Sequence, residues 1–286
     1  LENDVIHINR LDADASAVSA FVAPHRNVLV LTGAGISTAS GIPDYRDANG
    51  VRRGKAPMEG PAFRASETMR RRYWARSMIG WPKLAQTAPN AGHRALAALE
   101  AAGRIAALLT QNVDGLHQQA GSRAVIELHG NIHRVVCLAC GTMQTRRAVQ
   151  TLLERANPGL VGNDAAALPD GDAELATDAL AGFQVPPCPA CGGMLQPDVV
   201  FFGDGVPRDR SEAAERAVAA ADAVLVVGSS LVVFSGYRFC RMAAEAGKPI
   251  AAINRGVTRA DHLLVLKCET PAESLLPLLA DRLHSD

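Results

Sequence analysis

The chain is punctuated by short apolar runs rich in Val, Ile and Leu, at Val28 to Leu31, Ile105 to Leu109, Val125 to Leu128, Val199 to Phe202, Val224 to Val227, Ile250 to Ile253 and Leu263 to Leu266. Runs this short, without polar alternation, read as strands buried on both faces. Between some of them lie helical stretches. Ala91 to Ala102 repeats Ala and Leu at helical spacing and stops at Gly103, and Asp209 to Ala221 opens behind Pro207 with an Asp-x-x-Glu capping pattern, Asp209 and Glu212. Strands alternating with helices predict an α/β fold, a doubly wound and mostly parallel sheet with both faces covered.

Two segments break that rhythm. Residues 49–86 are Arg-rich, hold both Trp residues and predict a helical insertion. Residues 135–196 carry four of the six Cys around an Ala-, Gly-, Pro- and Asp-rich stretch and form a separate small module. Long structureless loops are uncommon, so a helix is expected there, at Arg146 to Arg155. Residues 1–48, 87–134 and 197–286 then make up the sheet domain. With 286 residues, 48% hydrophobic and 29 basic against 29 acidic side chains, the chain has material for a core and no global pull toward nucleic acid or anionic lipid. Specific nucleic-acid binding is therefore not expected. Neither is a membrane partner, since no apolar run approaches the roughly 18 to 20 residues of a bilayer span and Leu1 to Arg10 lacks the layout of a secretory signal.

The cysteines are the strongest local signal. Cys137-x-x-Cys140 and Cys188-x-x-Cys191 share one spacing, with Gly141 and Gly192 directly after each pair. Four thiolates suit a closed tetrahedral zinc site, structural because no position is left for water. A redox pair is the competing reading. Cys240 and Cys268 lie in apolar surroundings and read as inert buried thiols.

Polar and glycine-containing groups follow directly on the strands: Gly33-Ala34-Gly35, Gln111-Asn112, His129-Gly130, Gly228-Ser229-Ser230 and Asn254-Arg255-Gly256. In open doubly wound sheets ligands bind at the carboxyl ends of strands, so these groups are expected to line one crevice. Gly33 to Ser37 resembles the opening of a dinucleotide fingerprint, with backbone N–H groups meeting a pyrophosphate at a helix start. It departs from the dehydrogenase pattern. Thr38 stands where a third Gly belongs, and Arg52, Arg53 and Lys55 occupy the region of the ribose-binding acid. A protein that binds a dinucleotide without that acid fits better, with Asn254 a candidate ribose ligand.

GAGISTASGIPDYRD at Gly33 to Asp47, TQNVDGLH at Thr110 to His117, ELHG around His129, the paired Cys-x-x-Cys, FFGD at Phe201 to Asp204 and GSSL at Gly228 together resemble the sirtuin family of NAD-dependent protein deacylases. Tyr45, YWAR at Tyr73 to Arg76 and GYRF after Ser235 are most similar to its class II branch, in a bacterial member. The resemblance implies a Rossmann domain, a zinc-ribbon module and NAD consumed as cosubstrate between them. It also implies that the acyl oxygen of a modified lysine displaces nicotinamide, the acyl group ending on ADP-ribose. The expected compartment is the bacterial cytoplasm, or the mitochondrial matrix for a eukaryotic member.

Carried onto this chain, the resemblance makes His129 the general base toward a ribose hydroxyl, near its ordinary pKa of roughly 6.5. Asn112 orients the ribose, and Val113 and Asp114 contact the nicotinamide carboxamide; either Asn112 or Asp114 is equally a helix N-cap. Gly33, Ala34, Gly35, Ser37, Thr38, Gln111, Gly228, Ser229, Ser230, Asn254, Arg255 and Gly256 join the cofactor set, with Asp44, Tyr45 and Arg46 on a loop that closes over NAD. Tyr73 and Arg76, on one helix face, meet acidic acyl groups. Val200, Phe201 and Gly203 offer a strand edge to the acyl-lysine peptide. His7, His25, His93, His133, His262 and His284 read as surface or packing residues, and His117 as less certain. Mono-ADP-ribosyl transfer to protein and a non-catalytic NAD or acyl-lysine binding module are the alternatives.

Overall fold

Val28 and Val30 face one side of their strand and Leu29 and Leu31 the other, and all four are sealed from solvent. This two-sided burial makes the strand the centre of the fold. In a computed structural model, which describes residues 2–44, 51, 57–161 and 182–284, the elements run α1 (Glu2–Val22), β1 (Val28–Thr32), α2 (Gly60–Ala65), α3 (Glu67–Ala85), α4 (Ala91–Ala101), β2 (Ala107–Thr110), α5 (Leu116–Gln119), β3 (Val125–Glu127) and β4 (Gly130–Cys137). They continue as β5 (Met143–Thr145), α6 (Arg146–Ala156), β6 (Leu195–Val199), α7 (Arg208–Ala220), β7 (Ala223–Val227), α8 (Phe234–Glu245), β8 (Ile250–Ile253), β9 (Leu266–Cys268) and α9 (Ala272–His284).

Six strands form one parallel sheet in the order β3-β2-β1-β7-β8-β9. Counted along the chain, this is the 3-2-1-4-5-6 order of a Rossmann sheet. Residues of α1, α4 and α9 cover one face and residues of α7 and α8 the other. The remaining strands form a three-stranded antiparallel sheet, β5-β4-β6. Its core is shared with α2, α3 and α6: Phe63, Tyr73, Trp74 and Met78 pack with Val135, Val149, Leu153, Leu195 and Phe201. Among the described residues no helix is long and apolar enough to cross a membrane.

Three local expectations are corrected. Val199 to Phe202 is not a strand of the parallel sheet: the ladder is Leu195–Val199, paired with β4. The run is apolar because Phe201 packs on Phe63 and Tyr73, with ring centres 5.1 and 5.3 Å away. Leu263 ends a 3₁₀ turn (Asp261–Leu263) before β9, and with Leu264 it packs on the face covered by α7 and α8 without joining the ladder. The Asp209/Glu212 capping pair is not used either. The helix begins one residue earlier behind Pro207, and Glu212 takes Arg208 four residues back at 2.6 Å.

Candidate active site and metal centre

The strand order reverses between β1 and β7, and ligands of open α/β sheets bind at this switch point. Here the two strand-end turns touch backbone to backbone. Gly33 N donates to Val227 O at 3.2 Å and Gly35 N to Gly228 O at 2.8 Å. A Cβ on Gly33 would fall 2.7 Å from Ser229 Cβ, and one on Gly35 would fall 2.9 Å from Gly228 Cα. Gly228 has φ +59°, and a Cβ there would collide with the Ile36 amide. The turn after β1 continues as two 3₁₀ turns, Ala34–Ile36 and Thr38–Ser40, where the fingerprint led us to expect a helix start. Thr38 Oγ1 closes this turn on Gly35 O at 3.0 Å.

Behind the cradle lies a buried polar network. Ser37 Oγ donates to Asp114 Oδ2 at 2.8 Å and accepts from Asn112 Nδ2 at 3.2 Å; the same Nδ2 reaches Gly33 O at 3.1 Å. Asp114 Oδ1 takes the Leu116 amide, so a cap-like bond and a place in the crevice coexist. Burial pushes the Asp114 carboxyl above its usual range, opposed by the Leu116 and Ser37 donors. Asn112 is held from the main-chain side as well: its N–H meets Thr110 Oγ1, which Thr32 Oγ1 also reaches, and His117 Nε2 lies 2.9 Å from Thr32 Oγ1. His93 Nδ1 accepts the Asn90 amide, which leaves Nε2 as the N–H, aimed at Ser37 Oγ at 3.5 Å. His133 accepts from Trp81 Nε1 and donates to Asp114 O.

His129 stands at the end of β3. Its Nδ1 is 2.9 Å from Gln111 O, which can only accept, so Nδ1 carries the hydrogen and Nε2 is the basic atom. Ser235 Oγ lies 2.8 Å from that Nε2. The imidazole does not keep its ordinary pKa. Burial lowers it, the Gln111 carbonyl opposes, and Arg210 lowers it further, so the ring is neutral at pH 7 and able to accept a proton. Arg210 is in turn held by Asp198, which also takes Arg134, and Arg134 reaches Glu127.

The remaining sequence candidates fall as follows. Gln111 Nε2 donates to Ser229 Oγ at 2.7 Å, joining the ends of β2 and β7. Ser230 O takes the Arg259 amide. Asn254 is buried at the end of β8, its Nδ2 turned onto the carbonyls of Arg255 and Gly256. Ala34 and Val113 are half-buried beside the cradle and behind Asn112, and Asp44 is half-buried at the end of the first described stretch. Tyr45 and Arg46 lie outside the described residues. Val200 N donates to His129 O, Phe202 O takes Gly60 N and Phe201 O takes Asp204 N, so this segment is partly engaged within the chain. Gly203, at φ +80°, turns beside Pro61. Tyr73 is buried edge-on against Phe63, Trp74 and Phe201, while Arg76 is half-buried one turn on. The strand-end reading missed Ser235, Thr32, Thr110 and His93. Asn90-x-x-His93 carried a signal, because Asn90 caps α4 and His93 closes the reciprocal bond where a Glu or Gln is usual.

At the far end of β4 the four cysteine sulfurs all lie within 4.8 Å of one another, with Cys137 and Cys191 at 3.5 Å and Cys140 and Cys188 at 4.0 Å. A tetrahedron of Zn–S bonds sets sulfurs about 3.8 Å apart, so the set fits zinc. The two knuckles repeat one design. Gly141 N returns to Cys137 O and Gly192 N to Cys188 O, each glycine in the left-handed region that the turn needs. The Gly193 amide points at Cys191 Sγ and Gln144 Nε2 at Cys188 Sγ, the outer donors that thiolates require. Cys240 and Cys268 are buried, and burial pushes their thiols up to about 12 and about 11, as expected of inert residues.

Residues 33–235 match the model of the Sir2 family. An "NAD-dependent protein deacetylase" of Xanthomonas campestris pv. campestris (strain 8004) is 55% identical over 94% of this chain and 93% of its own length. An "NAD-dependent protein deacetylase 2" of Bradyrhizobium diazoefficiens is 54% identical over 91% and 95%. Among solved structures, one described as "Sir2-p53 peptide-NAD+" superposes with a TM-score of 0.75 at 29% identity, covering 93% of this chain and 97% of that one. Another, "Sir2 bound to acetylated peptide", gives 0.75 at 28% identity over 95% and 99%. The Rossmann strand order, the four-cysteine cluster and these matches agree: the chain belongs to the Sir2 family.

Proposed function

We infer that this protein is an NAD-dependent protein lysine deacylase, which moves the acyl group of a modified lysine to ADP-ribose with release of nicotinamide. The observation that carries the reading is His129, with its Nδ1 held by Gln111 O at the end of β2, one residue before Asn112, which leaves Nε2 as the basic atom. The glycine-only approach of the β1 and β7 turns fits a dinucleotide backbone at the switch point. NAD, when bound, supplies a ribosyl carbon whose bond to nicotinamide can be broken.

The chain's own residues do the rest. Gly33, Ala34, Gly35, Ser37, Thr38, Gly228, Ser229 and Ser230 would hold the phosphates and near ribose, and Asn254, Arg255 and Gly256 the far ribose, with Asp44, Tyr45 and Arg46 on the covering loop. Asn112, fixed at its main chain by Thr110 and at its amide by Ser37, orients the reacting sugar, and Gln111, Val113 and Asp114 complete its surroundings. His129 Nε2 takes the proton of a sugar hydroxyl. Cys137, Cys140, Cys188 and Cys191 hold one structural zinc, which organises a sheet whose central strand β4 begins at the residue after His129 and ends at Cys137.

The substrate is an acyl-lysine of a protein, entering along Val200, Phe201 and Gly203. Tyr73 and Arg76 bias the acyl pocket toward acidic acyl groups, the class II trait. By chain order the sheet domain takes residues 1–48, 87–134 and 197–286, with 49–86 the helical insertion and 135–196 the zinc module, β4 and β6 running across the last two boundaries into the small sheet. The balanced charge gives no basis for specific nucleic-acid binding, and bacterial relatives favour a cytoplasmic setting. The test is incubation with NAD and acetyl-, succinyl-, malonyl- and lipoyl-lysine peptides, followed by nicotinamide release and product mass. Turnover with acyl-ADP-ribose is expected. Covalent ADP-ribose on protein without acyl-ADP-ribose would favour ADP-ribosyl transfer, and no turnover across the panel would favour a binding module.

A further inference from the structure

Ser235 sits in the first turn of α8, where neither the strand-end groups nor the cysteines direct attention. Its Oγ is 2.8 Å from His129 Nε2. Because the other ring nitrogen gives its hydrogen to Gln111 O, the neutral ring offers only a lone pair at Nε2, and the Ser235 hydroxyl donates to it. That lone pair is also the one that must receive a substrate proton. Gly236 lets α8 lie against the strand end that bears the histidine's partner: a Cβ there would run into the side-chain amide of Gln111 and push it off Ser229. The residues just before Ser235, namely Val232, Val233 and Phe234, are exposed apolar side chains.

We propose that Ser235 is a further residue of the reaction centre, a hydroxyl cap that holds the His129 lone pair until a substrate hydroxyl displaces it. The identity of that substrate hydroxyl rests on the deacylase reading; the cap itself does not. In the exchange the substrate O–H bond breaks and an N–H bond forms at Nε2, while Ser235 keeps its own proton.

The charges around His129 stay constant in this exchange. The one that acts on the ring is Arg210 of α7, which stands in a chain of ion pairs through Asp198 of β6 and Arg134 of β4 to Glu127 at the end of β3; on α8 itself, Arg238 lies near Glu215. A donor to the neutral ring favours that form. Removing it should raise the His129 pKa by roughly half to one unit, the effect of one ordinary hydrogen bond.

The experiment compares wild type, Ser235→Ala and Ser235→Thr. Long-range ¹H–¹⁵N correlation of the ligand-free protein should show the Nδ1–H tautomer of His129. The pKa should rise by roughly half to one unit in Ser235→Ala and return in Ser235→Thr. With NAD and an acetyl-lysine peptide, kcat of Ser235→Ala should equal or exceed wild type at pH 9 and fall below it as the pH drops, approaching about a 3- to 10-fold deficit only below the pKa of both rings, since the base must be neutral. An Nε2–H tautomer, an unshifted pKa in Ser235→Ala, or a loss of kcat at every pH would overturn the cap. The NMR readout does not depend on turnover, so a dead wild type would count against the deacylase reading and leave the cap to be decided by the spectrum.

Discussion

The imidazoles of His93 and His117 lie 4.9 Å apart, both sealed from solvent, on the side of the network away from the crevice: His93 reaches Ser37 and His117 reaches Thr32. Two histidines this close and this dry cannot both hold protons. Desolvation, with Arg94 beside His93 and His93 itself beside His117, lowers His93 to about 4 and His117 to about 3. Their neutrality is needed by the hydrogen-bond directions, because His93 must accept from Asn90 while donating toward Ser37.

Stability should therefore fall in acid from these two groups. An unfolded His binds its proton near pH 6.5, so below that value the unfolded state holds more protons than the folded one, and stability declines until the folded pKa values near 4 and 3 are reached. Between pH 7 and pH 5 each histidine costs about 2 kcal/mol. Urea midpoints across this range should show the decline, and His117→Gln, which keeps a donor toward Thr32, should have a slope close to half. An unchanged slope would remove the histidine pair as its cause.

Metal removal should act on one sheet first. β4 ends at Cys137, and the buried Cys137 and Cys188 belong to the core that α3 and α6 share, so zinc and that core order one another. A strong chelator, or Cys188→Ser, should release one equivalent of zinc and lower Tm. Deacylation should be lost, while the circular dichroism of the parallel sheet and its helices is largely kept. Full activity with no bound zinc would refute a structural role for the metal.

What could be read beforehand follows a physical divide. The turns after β1, β2, β3, β7 and β8 were legible because a ligand at strand ends demands small or polar residues at fixed places, and those residues differ in kind from the apolar runs before them. The zinc knuckles were legible because two thiolates in one turn leave little choice of spacing. Ser235 was not, since its role arises only when α8 is laid against Gln111 through Gly236, a tertiary fact. His93 hid in a helix cap whose usual partner is an acid. Phe201 looked like a strand residue because apolarity alone does not tell a ladder from an aromatic cluster.

Binding and chemistry should separate at His129. The residue keeps one basic atom, Nε2, while the cradle of Gly33, Gly35 and Gly228 is built without it. His129→Ala should bind NAD within a few-fold of wild type by calorimetry and lose about 10²- to 10⁴-fold in kcat. Asn112→Ala, which also empties the contacts to Gly33 O and Ser37 Oγ, should lose both affinity and rate. Turnover retained by His129→Ala would assign the base elsewhere.

Arg146 joins the helical insertion to the zinc module. It is wholly buried at the start of α6, with its guanidinium 5.4 and 4.9 Å from the ring centres of Trp74 and Trp81 on α3, and it donates to Gln150 Oε1, Ser77 O and Ser77 Oγ. A planar fork that stacks and donates in two directions is not replaced by an ammonium. Arg146→Ala should cost about 3–5 kcal/mol, because it leaves Ser77 and Gln150 short of a donor and opens a cavity between two indoles. Arg146→Lys should recover less than half of that. Since Trp74 abuts Tyr73 and Phe201, the same variants should raise KM for acyl-lysine peptide more than KM for NAD. Trp fluorescence during urea unfolding reads the first effect and steady-state kinetics the second; equal changes in both KM values would show that the bridge supports the fold without shaping the peptide side of the crevice.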